Sequence, residues 1–219
     1  MSDGVSGPFE EPAGDWRTES ASSLLARLRA HEGTRRRPIV VGLDGRSGSG
    51  KSTTATLLAT HHRSATVVHT DDVAWNLSFF DWADQLIDGV LKPLRTNGSG
   101  ISCRPAPWDE HGREGAIRVA PTTTMVIVEG VGAGRRELTP WLDDVVWVHS
   151  DLDAAREAAL TREGNTTESS SFWDEWQTEE IPFLDDQRPW ERAAFMIAGT
   201  GVTQVAAIEP DSFLVSPLR

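Results

Sequence analysis

The chain is 219 residues long, with 38% hydrophobic and 25% charged residues, a composition typical of a globular protein. Its formal net charge of −12 argues against a broad surface for nucleic acids or anionic membranes, because phosphate groups repel a protein of the same sign. No apolar run approaches the roughly 18 residues that a membrane span needs, and the acidic start of the sequence has no signal-peptide pattern. We therefore expect a cytoplasmic protein that binds neither nucleic acid nor membrane.

The organisation of the chain follows from shifts in composition. Residues 1–20 are rich in glycine, proline, serine and acidic residues, which predicts a disordered tail before a single domain at 21–219. Cys103 is the only cysteine, so the chain forms no internal disulfide, and we expect an ordinary, partly buried residue there. The sequence leaves the oligomeric state open and is compatible with a homo-oligomer.

Short apolar runs alternate with helical patterns along the domain. The first helix is expected at 22–33, where leucines recur at helical spacing. Apolar runs that suit buried strands are found at 37–45, 65–70, 124–130, 144–150 and 193–199. This alternation predicts an α/β fold with a parallel sheet and helices on both faces.

The helical segments carry three further signals. An apolar face at 80–95 indicates a helix that Pro93 should end or kink. Ser150 and Asp153 resemble a capping box that opens the helix after the fourth strand. The polar, tryptophan-rich stretch at 163–190 breaks the pattern, and we interpret it as a lid or insertion.

The stretch GLDGRSGSGKST at 42–53 contains the phosphate-loop pattern G-x-x-x-x-G-K-[ST] between a predicted strand and a predicted helix. Its glycines let backbone N–H groups point at phosphate oxygens, and the start of the helix adds the positive end of its dipole. Lys51 would reach the outer phosphates, and the hydroxyl of Ser52 would bind Mg²⁺. The residues expected to bind ATP are Gly45, Ser47, Gly48, Ser49, Gly50, Lys51, Ser52 and Thr53.

Carboxylates follow two of the predicted strands. Asp71 and Asp72 come directly after the strand at 65–70, where a carboxylate can accept a proton from an attacking hydroxyl or help to hold Mg²⁺. Glu129, at the end of the strand at 124–130, is a second candidate for Mg²⁺. The alternatives are that the aspartates cap the next helix and that Glu129 is a solvated strand end.

Two arginines lie on the helix after the fourth strand. Arg162 falls at the end of this helix, where a lid would begin, and Arg156 lies six residues before it. An arginine in this place could clamp the transferring phosphate. Plain surface charge is the alternative for both residues.

Taken in order, these motifs resemble the uridine kinase and phosphoribulokinase family of P-loop kinases over about residues 37–165. The segment DDVAW is similar to the D-x-F-Y-type segment of the family, and Asp72 matches its catalytic aspartate. The segment FFDWADQL resembles the one that contacts the nucleoside ribose, and Asp81 is its best-matched residue. RPAPWDEHGREG is similar to the hairpin that encloses the base, with matches at Trp108, His111 and Arg113.

The resemblance implies a P-loop kinase fold and an enzyme that uses ATP and Mg²⁺ to phosphorylate a nucleoside, at its 5′-hydroxyl. Taken with the phosphate loop and the carboxylates that follow the strands, the resemblance indicates Lys51, Asp72 and Arg162 as catalytic residues and Ser52, Asp71 and Glu129 as metal ligands. The substrate contacts would be Asp72, Trp75, Asp81, Trp108, His111 and Arg113. The rings of Trp75, Trp82 and Trp108 could stack on a base, and packing in the core is the alternative for them.

The residues alone leave other functions open. The acceptor of the phosphoryl group could be a sugar, a vitamin precursor or an antibiotic, because the phosphate loop says only that a nucleoside triphosphate binds. A nucleotide-binding switch that transfers no phosphate is the alternative from another class. The guanine-reading N-K-x-D motif is missing from the sequence, since neither Lys51 nor Lys92 follows an asparagine.

Overall fold

A computed structural model describes residues 15–29, 37–98, 100–202 and 211–217 of the chain. The strands in these ranges are β1 (Arg17–Ser20), β2 (Ile39–Gly45), β3 (Ala65–His69), β4 (Ile101–Cys103), β5 (Ile117–Val119), β6 (Met125–Glu129), β7 (Asp144–His149), β8 (Phe195–Ala198) and β9 (Ser212–Pro217). The helices are α1 (Ala21–Arg29), α2 (Lys51–His61), α3 (Thr70–Ala74), α4 (Ala83–Leu86), α5 (Lys92–Asn97), α6 (Ala106–Glu110), α7 (Leu152–Arg162) and α8 (Thr167–Gln187).

The predicted parallel sheet is confirmed. Strands β3, β6, β2, β7 and β8 lie side by side in this order, and each neighbouring pair is parallel. All seven residues of β2 are buried, which is why this strand has a continuous apolar run rather than an alternating pattern. The carboxyl ends of β2, β3 and β6 therefore meet at one edge of the sheet.

Two antiparallel strands extend the sheet beyond β8. β9 pairs with β8, and β1 pairs with β9, so the full order is β1-β9-β8-β7-β2-β6-β3. β1 lies within the segment 1–20 that the sequence assigns to a disordered tail, and its residues are ordered because their backbone pairs with β9. Residues 1–14 of that segment lie outside the described ranges.

The sheet packs helices against both of its faces, as predicted. On one face, Val41 and Ile127 belong to an apolar cluster with residues of α1 and α2. On the other face, Val40 packs with α4 and α5, and Trp147 packs with Leu184 of α8. Successive side chains of a strand point to opposite faces, so strands that are apolar at nearly every position require this double cover.

Pro93, expected to end or kink the helix at 80–95, does not end it. α4 continues through a π-helical segment, Ile87–Leu91, into α5, which ends only at Asn97. Pro93 occupies the first turn of α5. The wider π-helical turn precedes it and shifts the hydrogen bonds by one residue, so the missing N–H of proline interrupts no α-helical ladder there.

The N-terminus of α7 also differs from the prediction. Its cap is Asp151 rather than Ser150, and the Asp151 carboxylate accepts a hydrogen bond of 2.9 Å from the N–H of Ala154. Ser150 follows β7 directly and is buried. The aspartate is therefore the first polar side chain that can turn back onto the helix.

The stretch at 163–190 contains the longest described helix, α8. Thr166 and Ser169 form a capping box at its start, and the helix continues through Pro182 to Gln187. Leu184 and Phe183 pack near the sheet, while Phe172 is 48% exposed. The assignment of this segment as a lid remains a prediction. No helix in the described ranges is long and apolar enough to cross a lipid bilayer.

Candidate active site

The phosphate loop connects β2 to α2, the context that the motif requires. Gly50 caps α2 with a left-handed backbone, φ 94°, and Gly48 also has a positive φ of 75°. A Cβ atom on Gly48 would collide with the carbonyl oxygen of Ala155 in α7. Glycine is therefore needed at this position both for the backbone angle and for the close approach of α7.

Lys51 is the first residue of α2 and is almost fully buried, with 7% of its surface exposed. Its Nζ donates a hydrogen bond of 2.8 Å to the carbonyl oxygen of Arg46. The ammonium group is thus folded back along the phosphate loop, and one of its three protons is committed to the loop itself.

A cavity of about 210 Å³, here named the phosphate cavity, opens beside the loop. Its wall brings together five of the residues that the sequence singled out for phosphate and metal chemistry: Lys51, Ser52, Asp71, Glu129 and Arg162. Ser47 and Gly48 also line it, as do Phe172 and Trp176 of α8. Gly45, Ser49, Gly50 and Thr53 belong to the loop or the first turn of α2 but are not part of this wall.

Glu129 stands at the centre of the polar contacts in this cavity. Its Oε1 lies 3.2 Å from the Ser52 hydroxyl, and its Oε2 lies 2.6 Å from Nδ1 of His69. Burial raises the pKa of Glu129, but the hydrogen bond to His69 and the charge of Lys51 outweigh this effect, and the net pKa is below the ordinary value. The same hydrogen bond raises the pKa of His69.

The neighbouring aspartates Asp71 and Asp72 face different surroundings. Asp71 lines the cavity, where loss of solvent raises the pKa of its carboxyl and the charge of Lys51 partly offsets the rise. Asp72 forms an ion pair with Arg113 of the hairpin. Asp71 thus faces the cavity beside the phosphate loop, and Asp72 faces the hairpin.

The oxygen atoms of the cavity fit Mg²⁺, a hard cation that prefers oxygen ligands. Ser52 and Glu129 already lie within hydrogen-bond distance of each other, and Asp71 is on the same wall. Within the described ranges, no group of three or more His, Cys, Asp or Glu side chains forms a self-contained metal site.

The two arginines of α7 differ in their surroundings. Arg162 lines the phosphate cavity and lies 3.1 Å from Glu163, with 63% of its side chain exposed. Arg156 lies on the surface, where its guanidinium is 3.7 Å from Asp174 of α8. Of the two, only Arg162 lines the cavity beside the phosphate loop.

Asp44, which the sequence analysis did not single out, connects the phosphate loop to the loop after β6. Its buried carboxylate accepts hydrogen bonds from the N–H groups of Gly45, Gly132 and Gly134, at 2.7, 2.9 and 2.8 Å. Desolvation by burial outweighs these bonds and raises the pKa of Asp44 to about 6. The sequence analysis missed Asp44 because the residue lies within the apolar run that forms β2, next to the glycines of the phosphate loop.

Glu180 is a second functional candidate that the sequence analysis missed. It lies in α8, is 1% exposed, and accepts a hydrogen bond of 2.7 Å from the backbone N–H of Ser47 in the phosphate loop. Gln177 contacts its other carboxylate oxygen. No local signal marks it, because the partners are 133 residues apart.

The expected hairpin is formed by β4 and β5, which pair antiparallel on either side of α6. Trp108 is 4% exposed, and its indole N–H donates a hydrogen bond of 2.8 Å to the carbonyl oxygen of Asp72. The guanidinium of Arg113 lies 3.8 Å from its ring centroid. Trp75 and His111 contact each other edge to face, at 6.0 Å. The hairpin therefore holds the α3 backbone in place, and the ring of Trp108 is largely covered.

Asp81 lies apart from the phosphate cavity. It lines a second cavity, of about 430 Å³, between the segment 77–81 and α8. Helix α8 thus lines two cavities, one beside the phosphate loop and one at the Asp81 segment.

Among solved structures, this chain is similar to a protein from Bacillus stearothermophilus named a possible uridine kinase, with a TM-score of 0.52 and 21% identity over 80% of this chain and 96% of that chain. It is also similar to a protein from Silicibacter sp. TM1040 provisionally named a fructose transport system kinase, with a TM-score of 0.46 and 16% identity over 79% and 91% of the two chains. The chain matches no protein-family model and no curated relative. The first similarity confirms the predicted P-loop kinase fold.

Proposed function

We propose that this chain is an ATP-dependent kinase that transfers the γ-phosphoryl group to a hydroxyl group of a small molecule. The observation that carries the proposal is the shared cavity wall that joins Lys51, Ser52, Asp71, Glu129 and Arg162. Two cations and a set of oxygen ligands for Mg²⁺ then face one small volume beside the phosphate loop. Phosphoryl transfer depends mainly on such positioning and charge stabilisation.

The phosphate loop would bind the nucleotide through its backbone. The positive φ angles of Gly48 and Gly50 set the curvature of the loop, and Lys51 would turn from the Arg46 carbonyl to a phosphate oxygen. Arg162 would approach from the end of α7 and offset charge that develops on the γ-phosphoryl group. Mg²⁺, when bound by Ser52 and Glu129, would supply further neutralisation of the phosphates.

Asp72 is the proposed general base. It lies beside Asp71 but contacts Arg113 rather than the phosphate cavity, so it is placed on the side from which the hairpin approaches. In the proposal its carboxylate orients the acceptor hydroxyl and accepts its proton. Trp108 fixes the backbone of this residue through its indole N–H.

The resemblance in sequence suggests a nucleoside as the acceptor. Trp75, His111 and Arg113 lie together at the hairpin and could contact a base, and Asp81 could accept hydrogen bonds from a ribose. Trp108 is too deeply buried to stack on a base without a rearrangement of the hairpin. A nucleoside acceptor is therefore a narrower proposal than kinase activity toward a small-molecule hydroxyl.

A screen of acceptors tests the proposal. The protein is incubated with ATP and Mg²⁺ and with single nucleosides, sugars or small alcohols, and products are detected by mass. We expect ADP to form only with an added acceptor, together with a product that carries one more phosphoryl group. ATP consumption that is independent of every acceptor and yields no phosphorylated compound would instead favour the nucleotide-binding switch.

A further inference from the structure

The last residues of two neighbouring parallel strands stand side by side next to the phosphate cavity. His69 ends β3 and Glu129 ends β6, and the register of the sheet pairs these two residues directly. Adjacent strands lie about 4.8 Å apart, and paired residues direct their side chains to the same face of the sheet. The backbone itself therefore brings the imidazole ring to the Glu129 carboxylate.

Both oxygens of the Glu129 carboxylate are engaged. Oε2 accepts a hydrogen bond of 2.6 Å from Nδ1 of His69, and Oε1 accepts one of 3.2 Å from the Ser52 hydroxyl. The imidazole bond is the shorter of the two, and short bonds are typical of ionised acceptors. Each carboxylate oxygen has a second lone pair, so these two contacts leave Glu129 able to bind a metal.

The two partners of Glu129 differ in their relation to Mg²⁺. Ser52 is itself a proposed ligand of the metal, so its hydroxyl cannot serve Glu129 alone once the metal binds. His69 does not line the phosphate cavity, and its ring offers nitrogen, whereas Mg²⁺ prefers oxygen. His69 is therefore the partner that can stay on Glu129 while the carboxylate binds the metal.

The direction of the His69 hydrogen bond does not depend on the charge of the ring. The net pKa of Glu129 lies below the ordinary value, so the carboxylate is ionised and can only accept. A proton is present on Nδ1 both in one neutral tautomer and in the imidazolium ion. Either form gives Oε2 the same donor, so the orientation of the carboxylate follows from the geometry of the two strands.

A purely structural role explains this contact less well. β3 and β6 are already joined over five residue pairs, from Ala65 with Met125 to His69 with Glu129. The His69 side chain is 47% exposed, and an exposed group gains little stability from one polar contact. The Glu129 side chain is only 6% exposed, so the main effect of the ring is to fix the rotamer of this buried carboxylate.

We propose that His69 is a positioning residue for Mg²⁺, which holds the Glu129 carboxylate in the orientation that binds the metal. The proposal rests on the kinase function proposed above and deepens it, because it adds a residue that acts on the metal through Glu129. Hydrogen-bond partners of metal ligands typically contribute about 10–100-fold to metal affinity or activity.

Binding measurements test this inference independently of turnover. The affinity of the full chain for a non-hydrolysable ATP analogue is measured by calorimetry in EDTA and at a series of free Mg²⁺ concentrations. With the Mg²⁺ affinity of the free analogue known, linkage gives the Mg²⁺ affinity of the complex. We expect His69→Ala to weaken this Mg²⁺ affinity about tenfold or more and to leave the affinity in EDTA unchanged. An unchanged Mg²⁺ affinity would overturn the inference, and a tighter one would show that the imidazole competes with the metal instead.

Two amide variants separate the position of the donor from its charge and from the fold. The amide nitrogen of His69→Asn stands close to the place of Nδ1, whereas that of His69→Gln stands close to the place of Nε2. We expect His69→Asn to keep the Mg²⁺ affinity within about threefold of the native value, and His69→Gln to lose as much as His69→Ala. Both amides are neutral and polar, so equal Mg²⁺ affinities of these two variants would contradict the inference.

His61→Ala is the matched control. His61 is the last residue of α2, and its Nε2 lies 3.3 Å from the carboxylate of Asp211, away from the phosphate cavity. This variant also removes a contact between a histidine and a carboxylate, and it should change neither the Mg²⁺ affinity nor the affinity in EDTA. A loss of Mg²⁺ affinity as large as that of His69→Ala would count against a role specific to His69.

The outcomes separate this inference from the function on which it rests. If the Mg²⁺ affinity depends on His69 as expected but no phosphorylated product forms with any acceptor, the positioning role stands and the kinase proposal fails. If phosphorylated products form and His69→Ala binds Mg²⁺ as the native protein does, the kinase proposal stands and the inference fails.

Discussion

The Glu180 carboxylate of α8 accepts a hydrogen bond of 2.7 Å from the backbone N–H of Ser47, inside the loop that is shaped to bind phosphate. The Glu180 carboxylate therefore already accepts the hydrogen bond of one backbone N–H group of this loop. Phosphate oxygens of a nucleotide carry the same charge and need the same kind of donor. Under the proposed function, the charge of Glu180 would therefore oppose nucleotide binding, while its hydrogen bond joins α8 to the loop.

The first prediction follows from this contact. Glu180→Gln keeps an oxygen that can accept the Ser47 hydrogen bond but removes the charge, so we expect ATP to bind about tenfold more tightly. Equilibrium titration with ATP measures the effect, and Glu168→Gln serves as the exposed control on the same helix. Weaker ATP binding in Glu180→Gln would mean that the charge supports the loop rather than opposing the nucleotide.

Lys51→Ala should abolish most of the kinase activity, because it removes the ammonium group that follows the transferring phosphoryl group. The fold should persist, since among the described residues the one hydrogen bond of the side chain is that to the Arg46 carbonyl. The only other lysine, Lys92, is exposed and pairs with Asp88, so Lys92→Ala is the matched control and should retain full turnover. Near-native turnover of Lys51→Ala would exclude the proposed role of the loop.

The two aspartates should separate in their kinetics. Asp72→Asn cannot accept a proton and is expected to lower kcat by about two orders of magnitude with little change in ATP affinity. Asp71→Asn, on the wall of the phosphate cavity, should mainly raise the Mg²⁺ concentration needed for half-maximal rate. If the two variants exchange these phenotypes, Asp71 is the base.

Arg162→Ala is expected to lower kcat more than it weakens ATP binding, because an arginine at the γ-phosphoryl group contributes most as charge redistributes during transfer. Arg156→Ala, on the same helix but outside the cavity, provides the comparison. Steady-state kinetics with a separate measurement of ATP affinity distinguish the two effects. An unchanged kcat with weaker ATP binding would make Arg162 a ground-state contact.

Asp44 makes stability depend on pH in an unusual direction. Its pKa is about 6 in the folded protein against an ordinary value of 3.8, so between these values the folded chain holds a proton that the unfolded chain releases. The free energy of unfolding therefore falls as pH rises through this window, by about 3 kcal/mol in all. Below pH 3.8 the carboxyl is protonated in both the folded and the unfolded state, so Asp44 does not change the free energy of unfolding with pH there.

Denaturant unfolding of the native protein and of Asp44→Asn, across this pH range, measures the effect. The difference in unfolding free energy between the two should change with pH in favour of the variant as pH rises from about 4 to about 6. Other carboxylates contribute equally to both curves and cancel. Parallel curves would show that Asp44 does not titrate in this range.

The sequence predicts the parallel core of the fold because each of its strands is an uninterrupted apolar run. β1 escapes prediction because its four residues, RTES, are polar and become ordered only through pairing with β9. The helix α8 escapes because its apolar residues are mixed with acidic ones and its sequence contains Pro182, which lowers helix propensity without preventing the helix.

In the candidate site too, local motifs are predicted from the sequence and contacts between distant residues are not. The phosphate loop is a local motif, so its position and its flanking strand and helix are found from the sequence alone. The contacts of Glu180 with Ser47 and of Asp44 with Gly132 join residues 133 and 88 positions apart, and no local pattern signals them. The covered ring of Trp108 likewise depends on Arg113 and on packing that the hairpin motif does not specify.

The pairing of β1 with β9 also bears on the order in which the protein folds. Arg17 faces Val215, so the two outer strands meet only after a chain of about 200 residues has been brought together. The parallel strands from β2 to β8 can assemble earlier, since α1 and α2 already cover one of their faces. During synthesis on the ribosome, the β8 edge should therefore stay unpaired until β9 emerges, and in that interval it is open to wrong pairing with other chains.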